Sequence, residues 1–262
     1  MSVLRVRSLD DPRLADYRDI KDGMLRERSA AFAAESREVV RRLLRERRFR
    51  ARSVLATERA LAALADVLDD SVTVFVAPND VIRDVVGLNF HRGCMAIGER
   101  GRPLGLVEAL AGAPRRIVVC ERLSNPDNVG GIFRDAMAFG AGAVVLSPGC
   151  ADPLSRKVIR VSIGGALTVP FAEVGDWPAT LGRLRDLGYA IVALTTRGGS
   201  DVATLAAPSR AALLVGSEGH GLTDDALARA DLRATIPMAA GVDSLNAVVA
   251  CGIALHRLGS AS

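Results

Sequence analysis

Residues Leu213 to Gly221 read Leu-Leu-Val-Gly-Ser-Glu-Gly-His-Gly. A short, uninterrupted apolar run that stops at a cluster of glycines is the pattern of a strand buried on both faces, as in a parallel sheet, running into a ligand loop. Three glycines within six residues, Gly216 to Gly221, free the backbone to wrap closely around a ligand. Their GxxGxG spacing is not the GxGxxG of dinucleotide phosphate loops, so a pocket cupping a flat adenine or a sugar edge fits better than a pyrophosphate cradle. Glu218 is the carboxylate placed to meet such a ligand.

Working outward, the same grammar repeats from Arg116 onward. Ile117–Cys120, Ala143–Leu146, Tyr189–Leu194 and Thr235–Ile236 read as further buried strands. Between and after them, helices are predicted over Gly130–Phe139, Leu154–Ser162, Trp177–Leu187 and Ser244–Leu258. Apolar strands alternating with helices predict an α/β unit on a parallel sheet covered on both faces. Residues 1–100 read as a smaller α/β unit. There the periodicity of Phe32, Val39, Val40, Leu43 and Leu44 predicts a helix from Phe32 to Leu44. Strands follow at Ser53–Ala56, Val72–Ala77 and Cys94–Ile97, with a helix over Glu58–Leu68 and Pro78 in the first turn of another. The charged, proline-terminated stretch Glu99–Pro103 marks the start of a linker, giving units over residues 1–100 and 116–262 joined by residues 101–115.

Two more loops follow strands, at the carboxyl edge where open α/β sheets bind ligands. Asn125-Pro-Asp-Asn128-Val-Gly-Gly-Ile-Phe-Arg134 reads as a turn into a helix, with Arg134 about one turn in and facing back toward the loop. Ile236-Pro-Met238 leads through Asp243-Ser244-Leu245-Asn246 into the last helix, where Ser244 is a candidate N-cap. Asn246 presents both a donor and an acceptor.

Composition narrows the classes. Of 262 residues, 49% are hydrophobic and 24% charged, enough for a sizeable core and against disorder. No apolar run approaches the ~20 residues of a membrane helix, and no secretory signal opens the chain, which points to a cytoplasmic protein without a membrane partner. Cys94, Cys120, Cys150 and Cys251 lie far apart with no histidine at ligand spacing, so no metal site or disulfide framework is expected. The formal charge is +4, concentrated between Arg37 and Arg52, where eight arginines meet two glutamates. Arg41, Arg42, Arg45 and Arg48 either form a phosphate-binding face or are a solvated helix face, since guanidinium forks match phosphate oxygens but also pair with surface acids.

Taken together, the three motifs resemble the SpoU (TrmH-like) branch of the SPOUT RNA methyltransferases. Asn128-Val-Gly-Gly-Ile-Phe-Arg134 is similar to the family's first motif, Gly216–Gly221 to its second, and Ile236-Pro-Met238 with Ser244-Leu-Asn246 to its third. The likeness spans about residues 116–258. More loosely, Phe32-Ala-Ala-Glu35 and His91-Arg-Gly93 resemble the small RNA-recognition domain that often precedes it. Ser36 stands where the family often has glycine, and Ala247-Val248 where it usually has Val-Ser.

The resemblance implies a catalytic unit carrying a deep C-terminal trefoil knot, an exception to the rule against threaded chains. It implies S-adenosyl-L-methionine as cofactor, held near Leu194, Thr195, Gly216, Ile236, Met238 and Leu245. It also implies a homodimer and methyl transfer to a ribose 2′-hydroxyl of ribosomal RNA, more than transfer RNA. Arg134, Asn128, Glu218, Ser244 and Asn246 would form the catalytic set. The family assigns activation of the hydroxyl to the position of Arg134. A guanidinium with a pKa above ~12 is a poor base, so stabilisation of the developing alkoxide is the physically easier role. The base role stays open, and His220 is the alternative. Two rivals remain: an RNA-binding or ribosome-assembly protein that keeps the fold without turnover, and a nucleotide-dependent oxidoreductase. A pure binder need not keep all of Arg134, Glu218, Ser244 and Asn246, and the oxidoreductase lacks its GxGxxG.

Overall fold

The computed structural model of the chain describes residues 2–8, 10–18, 22–46, 48–86 and 93–259. His91 and Arg92, part of the looser N-terminal resemblance, lie outside them. Two compact units emerge, one of residues 1–102 with 154–168, the other of residues 103–153 with 169–262.

The first unit is a five-stranded mixed sheet. Its strands are β1 (Ser2–Arg5), β2 (Ala31–Glu35), β3 (Ala51–Ala56), β4 (Thr73–Val76) and β5 (Cys94–Glu99), in the order β1-β4-β3-β5-β2. β1, β4 and β3 run parallel, and β5 pairs antiparallel with both β3 and β2. The helix predicted from Phe32 is corrected here. Ala31–Glu35 is a strand buried at every residue, and the helix is Arg37–Glu46, burying Val39, Val40, Leu43 and Leu44. Burial on both faces removes the alternation that marks a half-exposed strand, and Phe32 merely falls in phase with the helical stripe that follows. Pro78 precedes the helix Asn79–Val86, its carbonyl accepting from Ile82 N.

Within this unit, Glu35 at the end of β2 is only 5% exposed. Arg156 Nε donates to its Oε2 at 2.6 Å and Arg160 Nη1 to its Oε1 at 3.2 Å, both from the helix Arg156–Val161. A buried carboxylate is tolerated where it is paired in this way.

The second unit has seven parallel strands. They are β6 (Arg116–Glu121), β7 (Val144–Leu146), β8 (Phe171–Glu173), β9 (Ala190–Leu194), β10 (Ser200–Asp201), β11 (Ala211–Gly216) and β12 (Leu232–Thr235), in the order β10-β12-β9-β11-β6-β7-β8. The chain winds one way through β6, β7 and β8, then places β9, β11 and β12 on the other side of β6. Such a reversal opens a crevice at the carboxyl edge of the sheet. Ile117, Val119, Val145, Ile191, Ala193, Ala212 and Leu214 form the core with Leu181, Leu184, Leu222 and Leu227.

Two long helices matter for the site. Pro126–Phe139 starts earlier than predicted, so most of the Asn125–Arg134 segment is helix rather than loop. Asn125 caps it, accepting from Asp127 N at 3.0 Å, and Pro126 occupies the first turn, where its missing N–H costs nothing. Ala247–Gly259 packs against it. A Cβ on Gly131 would sit 2.4 Å from Val248 Cγ2, so this glycine serves helix-to-helix approach rather than a turn. Among the described residues, no helix is long and apolar enough to cross a membrane, and no group of three or more His, Cys, Asp or Glu side chains is arranged to hold a metal.

Candidate functional site

A cavity of about 500 Å³ lies at the carboxyl ends of β9, β11 and β12, within the range of roughly 300–1,000 Å³ typical of small-molecule sites. Three loops build it. Leu194 and Thr195 come from the end of β9, Val215 to Leu222 from β11 and its loop, and Ile236, Met238 and Asp243 to Leu245 from the segment after β12. All six residues expected to hold a cofactor therefore line one cavity, with Glu218 and Ser244 from the expected catalytic set.

The glycine loop is folded onto itself. Gly221 N donates to Ser217 O at 2.8 Å, and a Cβ on Gly216 would lie 2.4 Å from Gly221 C and 2.5 Å from Leu222 N. Only glycine allows that backbone-to-backbone approach without displacing the loop. Gly219 and Gly221 take φ of 81° and 65°, a region closed to most side chains. Glu218, Gly219 and His220 are left exposed at its tip.

Asn246 joins the loops. Its Nδ2 donates to Asn128 Oδ1 at 3.1 Å and to Glu218 Oε1 at 2.5 Å. Its Oδ1 accepts from Val248 N at 2.9 Å and Val249 N at 3.4 Å, which makes Asn246, not Ser244, the N-cap of the last helix. An amide is the side chain that can donate on one side and accept on the other. Asn128 is buried at 3% exposure, whereas Glu218 and Asn246 are exposed.

Arg134, two turns further along the helix from Asn128, is exposed, and its side chain makes no hydrogen bond or ion pair among the described residues. It does not line the cavity. Beside it, Asp135 Oδ2 is buried without a hydrogen-bond partner, and burial pushes its carboxyl up to about 6, against the pull of the Arg134 guanidinium.

The four arginines expected to form a phosphate-binding face are engaged with protein. Arg41 Nη1 lies 2.6 Å from Asp66 Oδ2, Arg41 also donates to Ala63 O, and Arg45 reaches the same carboxylate at 3.3 Å. Arg42 lies 3.5 Å from Glu38, and Arg48 stacks 4.9 Å over the Phe49 ring, where burial lowers its pKa to about 10.

Arg197 escaped the sequence reading although it lines the cavity. Its guanidinium donates to Leu222 O at 2.9 Å and Asp224 Oδ1 at 3.2 Å, tying the β9 loop to the exit of the glycine loop. The signal was present: Thr195-Thr-Arg197 is the first polar stretch after the β9 apolar run.

A parallel sheet whose carboxyl-edge loops fold into one glycine-lined pocket defines an α/β protein with a small-molecule site at the sheet's switch point. The model of the SpoU rRNA methylase family matches residues 115–256, and the chain belongs to that family. An uncharacterized tRNA/rRNA methyltransferase of Mycobacterium bovis is 39% identical over 98% of this chain and 92% of its own length. The 23S rRNA (guanosine-2′-O-)-methyltransferase RlmB of Ralstonia nicotianae is 31% identical over 71% of this chain and 76% of its own. Among solved structures, the AdoMet-bound rRNA methyltransferase of Sinorhizobium meliloti superposes with a TM-score of 0.81 at 25% identity, covering 98% of this chain and 97% of that one. The fold is that of the SPOUT methyltransferases, as the motifs implied.

Proposed function

We propose that the chain transfers a methyl group from S-adenosyl-L-methionine to a ribose 2′-hydroxyl of RNA, with ribosomal RNA as the preferred substrate class. The observation that carries this reading is a cavity in which the second and third motifs meet the end of β9, with Asn246 bonded to Asn128 of the first motif. The names of the relatives support it, since RlmB is a 2′-O-methyltransferase of 23S rRNA and the Sinorhizobium structure holds AdoMet.

The cavity suits the cofactor. Leu194, Ile236, Met238 and Leu245 offer apolar walls, and the missing Cβ at Gly216 lets the Gly221 and Leu222 backbone close against it and shape the loop side of the cavity. When bound, S-adenosyl-L-methionine supplies an electrophilic methyl on its sulfonium. The residues of this chain contribute position and charge. Arg134, exposed and uncommitted, clamps RNA phosphate and stabilises charge developing on the ribose oxygen. Asn246 spends both amide hydrogens holding Asn128 and Glu218 in register, and so fixes the first helix relative to the glycine loop.

The expected homodimer has support in the surface around the same helices. Phe139 ends the helix Pro126–Phe139, and Val249 and Ile253 lie one turn apart on the last helix; these three are 37–51% exposed apolar side chains that a second copy would cover. The test of the function is methyl transfer from labelled S-adenosyl-L-methionine to bulk ribosomal and transfer RNA. Alkali-resistant 2′-O-methyl label on ribosomal RNA, lost in Arg134→Ala while cofactor binding survives, is the expected result. Unchanged turnover in Arg134→Ala would remove that residue from the mechanism, and cofactor binding without label on any RNA would favour a non-catalytic RNA-binding role.

A further inference from the structure

The glycine loop is held at both ends by one residue that no motif contains. Glu121, the last residue of β6, is 1% exposed. Its backbone stands opposite Gly216 in the β6–β11 ladder, at the entrance of the loop. Its carboxylate crosses to the exit: Thr223 N donates to Oε2 at 2.9 Å and Thr223 Oγ1 to Oε1 at 2.7 Å. Trp177 Nε1 adds a third donor to Oε1 at 2.8 Å. Thr223 is at the same time the N-cap of the helix Asp224–Ala228, its Oγ1 accepting from Ala226 N at 3.2 Å.

These contacts have a geometric consequence. Seven residues, Gly216 to Leu222, leave the sheet beside Glu121 and are brought back to the side chain of that same Glu121. With the ends joined, the loop has little freedom except at its exposed tip, and the close approach of Gly216 to Gly221 and Leu222 is held in place. A ligand that needs this shape then binds without first paying to order seven residues. Hydrogen bonds to a buried carboxylate are strong, and an amide in its place sets its own hydrogens against the Thr223 and Trp177 donors.

We propose that Glu121 is a positioning residue for the cofactor site, acting through Thr223 to keep the Gly216–Leu222 loop in its binding shape. The proposal rests on the methyltransferase reading given above. It assigns Trp177, the single tryptophan, to the same network, so that its emission reports the state of the loop.

The experiment is calorimetric titration of the full-length protein with S-adenosyl-L-methionine, alongside KM for RNA and the thermal midpoint. Glu121→Gln retains shape but replaces one acceptor oxygen with a donor facing other donors. Its cofactor Kd rises at least tenfold, while KM for RNA stays within twofold. Thr223→Val, which loses the hydroxyl, shifts Kd in the same direction, and Thr223→Ser, which keeps it, restores affinity to within twofold of wild type. A folded Glu121→Gln protein with cofactor Kd within twofold of wild type overturns the proposal, whatever its loss of thermal stability, because a purely structural carboxylate would give that pattern. Should Glu121→Gln not fold, Thr223→Val decides by the same criterion. Wild-type protein that fails to bind the cofactor at all overturns the methyltransferase reading itself, a different result from any variant effect.

Discussion

Replacing Asn246 with alanine tests the joint between the motifs. The substitution removes an N-cap that accepts from Val248 N and Val249 N, worth about 1 kcal/mol. It also deprives the buried Asn128 Oδ1 of its donor, and an unsatisfied buried acceptor costs about 1–3 kcal/mol. The bond to exposed Glu218 adds little by itself, because water replaces it. The sum is a destabilisation of about 2–4 kcal/mol, or roughly 4–16 °C in the unfolding midpoint of a unit this size. Asn246→Ser retains the cap but not the reach, so it should be more stable than Asn246→Ala by about 1 kcal/mol. Asn246→Asp also keeps the cap, yet sets a second carboxylate where Glu218 Oε1 lies at 2.5 Å from the amide nitrogen, so at neutral pH it should lose methyl transfer most completely of the three. Urea unfolding followed by far-ultraviolet circular dichroism, with turnover measured on the same preparations, gives both readings. Equal stability of the serine and alanine variants, or an Asn246→Ala cost under about 0.5 kcal/mol, would refute the assignment of Asn246 as cap and bridge.

Other outcomes follow from the same geometry. Gly216→Ala places a methyl group against Gly221 and Leu222 backbone and should weaken cofactor binding by about 1–3 kcal/mol, read by calorimetry, with the fold retained. Asp135 has its carboxyl raised from 3.8 to about 6 in the folded state, so folded protein binds more protons than unfolded between those values and stability falls as pH rises through that window. Asp135→Asn should remove that slope and be the more stable protein at pH 7, and parallel melting curves from pH 4 to 7 would contradict the assignment. Neutralising Arg41, Arg42, Arg45 and Arg48 together should weaken RNA binding and flatten its dependence on salt, in filter binding across a salt series. Identical slopes would mean that these arginines, two of them already held on Asp66, serve only the protein.

What could be read from the residues alone follows the physics of burial. Ile117–Cys120 and Leu213–Val215 announce themselves because a central parallel strand hides both faces and so becomes a continuous apolar run. Ala31–Glu35 hides both faces as well, but its alanines carry little hydrophobic signal and the amphipathic helix behind it absorbed Phe32 into its period. The turn preference of Asn125-Pro126-Asp127-Asn128 set the expected helix start four residues too late, because the same proline and asparagine also serve as first turn and N-cap of a helix. At the site, Leu194, Thr195, Gly216, Ile236 and Met238 were legible because they sit at or just past the ends of strands, and Ser244 and Leu245 because they lead into the last helix. Asn246 as cap depended on where the last helix begins, which patterning leaves open by several residues. The partner of Glu121 lies 102 residues downstream, beyond any local signal.

The carboxylate of Glu35 sets a schedule for how this protein is made. It is buried in the first unit, and the two arginines that neutralise it arrive with residues 154–168, after the 51 intervening residues 103–153 have been synthesised. At about 5–20 residues per second, that is a wait of roughly 3–10 s during which the first hundred residues have emerged from the ribosome with an unpaired acid at a position destined for the interior. The N-terminal unit is therefore complete only when Arg156 and Arg160 dock on Glu35, while residues 169–262 of the second unit are still to be made. A chain cut after Arg102 would lack both arginines and leave the Glu35 carboxylate without these two partners.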